Sequence, residues 1–202
     1  GSYNPAMISI DVCDDEKVAC DVAPSDLKAH LNDGTLPRRV AWVDIMDPTA
    51  EDWRWLGETF GFHPPAIEDA QKQNQRAKAD DYESYFYLSV RHWTGVKKDA
   101  NSIPEITDEI DVFMGEDYLI PIHKKECPPI AEMRGRWERH PQRIPKEPSF
   151  LLYLLLDTVV DGYFPAVDAL TDAIEELEDQ VYEDSALLDI KPALGLKKNA
   201  LL

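Results

Sequence analysis

From Phe150 to about Tyr182 the apolar residues Leu152, Leu155, Val159, Tyr163, Ala166, Leu170, Ile174, Leu177 and Val181 recur at steps of three and four. That period places them on one helical face. It predicts a single helix about 50 Å long, at 1.5 Å per residue, if nothing breaks it. Acids recur alongside, at Asp157, Asp161, Asp168, Asp172, Glu175, Asp179 and Glu183, and between Leu151 and Asp184 there are ten acidic residues and no Lys or Arg. Pro165 is expected to kink this helix, because the carbonyl of Asp161 loses its partner. A long one-sided helix needs something to pack against, so the other elements must supply a separate core.

They have the material for it. The chain has 202 residues, 44% of them hydrophobic, which fits one domain or one domain plus an appendage. Its 39 Asp+Glu against 21 Lys+Arg give a net charge of −18, and the acidic helix holds ten of those acids. Such a charge excludes broad affinity for nucleic acid or anionic lipid, which draws its energy from basic residues neutralising phosphates. Cations or a basic partner are the natural counterparts. The run Phe150–Leu156 ends at Asp157, far short of the about 20 apolar residues that cross a bilayer, so a soluble polypeptide is expected. Cys13, Cys20 and Cys127 form no CxxC pair and are expected to be packed thiols in a reducing compartment. Residues 1–6, ahead of Met7, resemble an expression scar and are set aside.

Met7–Cys13 and Val18–Val22 alternate around the polar turn Asp14–Lys17 and predict a hairpin. Ser25 is expected to cap a short helix, Asp26–Leu31, that stops at Asn32-Asp33-Gly34. Val40–Ile45 is the next strand; Asp47-Pro48-Thr49 starts a helix ending at Gly61, and His63-Pro64-Pro65 starts another carrying Glu68 and Asp69. Tyr85–Trp93 predicts a strand with Tyr85 and Tyr87 on one face and Phe86, Leu88 and Val90 on the other. Glu109–Met114 and Tyr118–His123 predict a hairpin. Pro121 cannot donate to a ladder, so its strand is expected at an edge or to end there. A basic helix near Ile130–Arg139 follows. The predicted class is α/β or α+β, a mixed sheet with helices, over residues 7–148, and then residues 149–202 as the acidic helix and the start of a further one.

No GxSxG, HExxH, P-loop or GxGxxG pattern occurs, and the five histidines are scattered, so nothing points to an enzyme. Carboxylates are the remaining candidates. Glu68 and Asp69 are adjacent, so on a helix they point about 100° apart and could serve two neighbouring ions or one ion shared across an interface. Asp157 lies in the otherwise apolar Leu154–Val160, an expensive place for a carboxylate without a partner. Oxygen-only ligation suits hard cations such as Mg²⁺. Ordinary surface acids give the same pattern, so both readings stay open on the residues alone.

Two blocks go further. Val43-Asp44-Ile45, Phe60-Gly61-Phe62-His63-Pro64-Pro65-Ala66-Ile67-Glu68-Asp69, Gln75-Arg76-Ala77-Lys78 and Tyr82-Glu83-Ser84-Tyr85-Phe86 form the first, and Phe150-Leu151-Leu152-Tyr153-Leu154-Leu155-Leu156-Asp157-Thr158-Val159-Val160-Asp161-Gly162-Tyr163-Phe164 the second. Together they resemble the cytosolic part of the CorA family of magnesium and cobalt channels, with its FGxHPLxxED, RxK and YxLLDxxVDxYF patterns. The resemblance implies a three-layer α/β/α domain leading through the acidic helix to a stalk helix, near Leu194–Asn199. It also implies a homopentamer in the cell membrane, with this fragment on the cytoplasmic side. Neither the family's membrane helices nor its Gly-Met-Asn signature is in this sequence.

The same resemblance assigns Glu68, Asp69 and Asp157 to regulatory divalent ions, Mg²⁺ or Co²⁺, held between adjacent protomers. Their partner acid would lie on the stalk beyond Leu202. Mg²⁺ is the favoured transported ion, with Co²⁺ or Ni²⁺ as alternatives. A ZntB-like zinc transporter domain is the near competitor, and a soluble acidic interaction module without a metal role is the reading from another class. Gly162 and Pro165 depart from the family's continuous helix. The basic residues Lys124, Lys125, Arg134, Arg136, Arg139, Arg143 and Lys146 belong either to a solvated helix or to a surface facing a neighbour's acidic helix.

Overall fold

The computed structural model describes residues 7–13, 18–31, 39–72, 76–95, 106–140, 143 and 145–183. The turn Asp14–Lys17, the stop at Asn32-Asp33-Gly34, the segment Leu194–Asn199 and residues 1–6 lie outside them. Two compact units divide the chain: Gly1–Arg91 with Glu109–Thr158, and His92–Asp108 with Val159–Leu202.

Seven strands form one mixed sheet: β1 (Met7–Cys13), β2 (Val18–Ala19), β3 (Val40–Met46), β4 (Lys78–Tyr82), β5 (Tyr85–Trp93), β6 (Thr107–Met114) and β7 (Tyr118–His123), in the order β2-β1-β3-β7-β6-β5-β4. In the first unit α1 (Leu27–His30), α2 (Ala50–Phe60) and α3 (Pro64–Lys72) contribute Leu27, Trp53, Leu56, Ala66 and Ala70 to a core with Ile10, Val43, Ile45, Phe113, Ile120 and Ile122. On the opposite face lies α4 (Pro128–Arg139), whose Trp137 ring sits 6.5 Å from that of Trp42 and whose Arg134 pairs with buried Asp11 at 3.2 Å. Helices on both faces make the α/β/α sandwich that the family resemblance implies.

Three local expectations need correction. Pro121 is buried in β7, which lies between β3 and β6 instead of at an edge. The geometry explains it. Gly115 N–H donates to Tyr118 O at 3.1 Å, and pairs alternate from there, so Val112↔Pro121 is a wide pair needing no N–H toward β6. Toward β3, the parallel register runs Ala41↔Tyr118, Trp42↔Leu119 and resumes at Ile45↔Ile122 and Met46↔His123, so the ladder is interrupted where the proline falls. Ser25 is not the N-cap of α1: Asp26 is, and the Ser25 hydroxyl donates to Asp26 Oδ1 at 3.1 Å. Cys20 is exposed, unlike buried Cys13 and Cys127, because β2 ends one residue earlier.

The long apolar period resolves into two helices, α5 (Pro148–Asp161) and α6 (Phe164–Glu183). The interruption is a turn rather than a kink. Tyr163 N–H donates to Val160 O, and the Tyr163 carbonyl then accepts from both Ala166 and Val167. Pro165 thus falls in the first turn of α6, where its missing N–H costs nothing. In this second unit the Trp93 and Tyr163 rings lie 6.3 Å apart. By length and composition alone Pro148–Glu176 is long and apolar enough to cross a membrane, a longer stretch than Phe150–Leu156 suggests. Along it Leu151 and Leu155 are fully buried, whereas Tyr153, Val160, Phe164, Val167 and Ile174 are exposed.

Candidate functional site

The helix that carries Glu68 and Asp69 is fixed at its start by a chain of local decisions. Thr49 caps α2 through a capping box: Asp52 N–H donates to Thr49 Oγ1 at 3.3 Å and Thr49 N–H to Asp52 Oδ2 at 2.7 Å. Gly61, at φ 68°, ends α2 in the left-handed conformation that glycine adopts without strain. His63 then turns the chain into α3. Its carbonyl accepts from Ala66 and Ile67, its N–H donates to Tyr85 Oη at 3.0 Å, and its ring stacks on Tyr82 at 5.3 Å. The histidine therefore starts a helix, and its N–H ties that start to the sheet.

Ala66 and Ala70 face the core from α3, leaving Glu68 exposed and Asp69 half-buried. Glu68 pairs with Lys72 one turn on, at 2.6 Å, both side chains about 60% exposed. Asp69 has a closer environment. Its Oδ2 accepts from Lys78 Nζ at 2.5 Å, and the same ammonium lies 2.8 Å from Asp80 Oδ2. The bonds to Asp69 and then Asp80 raise the Lys78 pKa, so it stays charged. Lys78 also sits 5.2 Å from the centroid of the Tyr87 ring.

Behind Lys78 is a buried polar group. Tyr87 Oη donates to Asp111 Oδ1 at 2.7 Å, and Asp111 is 1% exposed. Burial is the main reason that the Asp111 carboxyl titrates at about 7, against the opposing bond from Tyr87. Arg91 pairs with buried Glu109 at 2.9 Å beside it. On the other sheet face His123 Nε2 meets Asp44 Oδ1 at 2.9 Å, and its Nδ1 meets the Lys125 carbonyl. Burial lowers the His123 pKa, but the Asp44 bond and charge and the Lys125 carbonyl outweigh it and leave it raised.

Asp157, on α5, is half-buried. Glu68 and Asp69 are neighbours on α3, but among the described residues no three His, Cys, Asp or Glu come close enough to hold a metal ion. The described residues thus offer carboxylate oxygens of the right chemistry for a hard cation without gathering three such ligands in one place. The two adjacent acids each already hold a lysine. Lys78 falls in the Gln75-Arg76-Ala77-Lys78 block, yet its spacing gives no hint that it folds back onto Asp69; the Glu109/Asp111 alternation in β6 is the only sequence signal of the buried acids. In the basic segment, Arg134 and Arg136 pair with Glu138 and Glu132 of their own helix.

The family model described as "CorA-like Mg2+ transporter protein" matches residues 38–201. The chain belongs to this family. YfjQ of Bacillus subtilis, whose name assigns it to metal ion transport, is 34% identical over 138 residues, 68% of this chain and 41% of that protein. The cobalt/magnesium transport protein CorA of Thermotoga maritima is 29% identical over 162 residues, 78% of this chain and 45% of that protein. The chain therefore spans less than half the length of these CorA-like relatives. Among solved structures, the soluble domain of CorA from Methanocaldococcus jannaschii superimposes with a TM-score of 0.62 at 18% identity, covering 96% of this chain and 72% of that one. The ZntB cytoplasmic domain from Vibrio parahaemolyticus gives 0.63 at 17% identity, covering 95% and 74%. Both likenesses establish the CorA-like soluble-domain fold.

Proposed function

We propose that this CorA-like chain is the cytosolic, ion-sensing part of a divalent cation transporter, with Mg²⁺ favoured and Co²⁺ or Ni²⁺ as alternatives. The supporting observation is the pair of adjacent carboxylates on α3, exposed Glu68 and half-buried Asp69, in a chain of this family. In this reading divalent ions bridge Glu68, Asp69 and Asp157 to the neighbouring subunit of a membrane-anchored homopentamer and hold the pore closed. When the ions leave, uncompensated carboxylates repel and the ring loosens, so the population shifts toward the conducting state. A weak, hydrated oxygen site suits a feedback sensor working near cytosolic Mg²⁺ levels. The protein carries ions and is not an enzyme.

The test is Mg²⁺ block of transport in the full-length protein carrying Asp69→Asn and Asp157→Asn. Block is expected to need roughly tenfold more Mg²⁺, as loss of one charge-assisted contact per ion implies; an unchanged block curve overturns the assignment. The zinc-transporting alternative is separated by ion flux through the same protein. A plain acidic interaction module predicts that Mg²⁺ and matched monovalent salt raise the melting temperature alike, whereas a specific site saturates.

A further inference from the structure

We propose that Lys78 is a tethered counter-cation that competes with the divalent ion for Asp69 and so sets the concentration at which the ion binds. The inference rests on the sensing reading, since it takes Asp69 as an ion ligand. Its basis is the geometry around the ammonium. Lys78 Nζ lies 2.5 Å from Asp69 Oδ2 and 2.8 Å from Asp80 Oδ2. It also sits within 5.2 Å of the Tyr87 ring centre. Three partners from α3, β4 and β5 therefore converge on one ammonium.

The neighbouring pair shows why this lysine differs from a surface one. Lys72 and Glu68 are about 60% exposed, and water and salt readily replace such a contact. Lys78 and Asp69 are 29% and 30% exposed, so their attraction is screened less. A divalent cation approaching Asp69 meets a carboxylate already holding a proton-rich donor, with a fixed positive charge a few ångströms away. It must either push Lys78 onto Asp80 alone or bind beside it against like-charge repulsion. Asp80 makes the first route open, because it gives the displaced ammonium a place to remain paired. The α3 site is thus neutralised from within when divalent ions are scarce and can exchange one cation for another when they are plentiful.

The measurement is a Mg²⁺ titration of the full-length protein followed by thermal melting, comparing the unmodified protein with Lys78→Met, Lys78→Arg and Asp69→Asn. Lys78→Met is expected to lower the Mg²⁺ midpoint about tenfold. Lys78→Arg, which keeps the charge, should stay within about threefold of the unmodified protein, and Asp69→Asn should raise the midpoint. A Lys78→Met midpoint that is unchanged or raised, while Asp69→Asn still raises it, overturns the competition and leaves the sensing site intact. An Asp69→Asn midpoint equal to that of the unmodified protein overturns the sensing reading, and the competition with it. Should Lys78→Met fail to fold without metal, Lys78→Gln, which retains a polar head for Asp80, carries the same expectation and the same refutation.

Discussion

Asp111 shows what a single buried carboxyl does to the pH response. Its folded pKa, about 7, lies above the ordinary value of 3.8, so between those values the native state holds a proton that the unfolded state has lost. Stability from this group is complete below about pH 4 and falls as pH rises toward 7. Asp111→Asn keeps an acceptor for Tyr87 and cannot ionise. It is expected to equal or exceed the unmodified protein by about 1–2 kcal/mol at pH 8, with the gap closing toward pH 5. Urea unfolding at both pH values checks this, and an equal loss at both would show that Asp111 matters only as packing. The raised His123 works in the same direction, because its stability is lost as pH climbs through its folded pKa. At this scale the sequence was partly legible. Alternation puts Tyr85 and Tyr87 on one face of β5 without saying that it is the buried one, Phe86 being the exposed side chain; which acid meets Tyr87 depends on the pairing of β5 with β6, which no local pattern encodes.

Elements were more legible where a turn residue decides them. The Asp47-Pro48-Thr49 start, the Gly61 stop and the His63-Pro64-Pro65 restart of α3 all fall where cap chemistry puts them. Thr49→Ala removes the acceptor for the Asp52 N–H, and about 1 kcal/mol of stability should go with it. Denaturant unfolding measures the loss, and a change within about 0.5 kcal/mol, the usual range for a surface substitution, would show that the box contributes nothing. Misjudged elements share a cause. Pro121 was assigned by a rule about single strands, whereas its place depends on which neighbour faces each backbone nitrogen. Similarly, the apolar period across residues 150–182 continues through Gly162 and Tyr163, because a two-residue interruption leaves the steps of three and four nearly in phase. β4 went unread since its Lys78-Ala79-Asp80-Asp81-Tyr82 is polar, as a sheet edge with one solvated side can be.

Across the whole molecule, a net charge of −18 makes self-repulsion part of the stability balance. Raising NaCl from about 20 to 300 mM should raise the melting temperature by a few degrees, as the screening length shortens below the spacing of surface charges; a melting temperature that drops with salt would contradict this. The candidate site was legible as residue types, since Glu68, Asp69 and Asp157 stand in recognisable blocks. Its lysine counter-charge was not, because Lys78 reaches Asp69 across the α3–β4 connection. Sheet topology has one more effect, on timing during synthesis. β3 can meet its parallel neighbour only once Tyr118–His123 has been made, and the contact of Trp42 with Leu119 closes a long loop. At roughly 5–20 residues per second, the ribosome leaves Val40–Met46 with one bare, apolar edge for several seconds. A nascent chain in that state is an open template for another strand, and so a natural client for whatever shields emerging polypeptides.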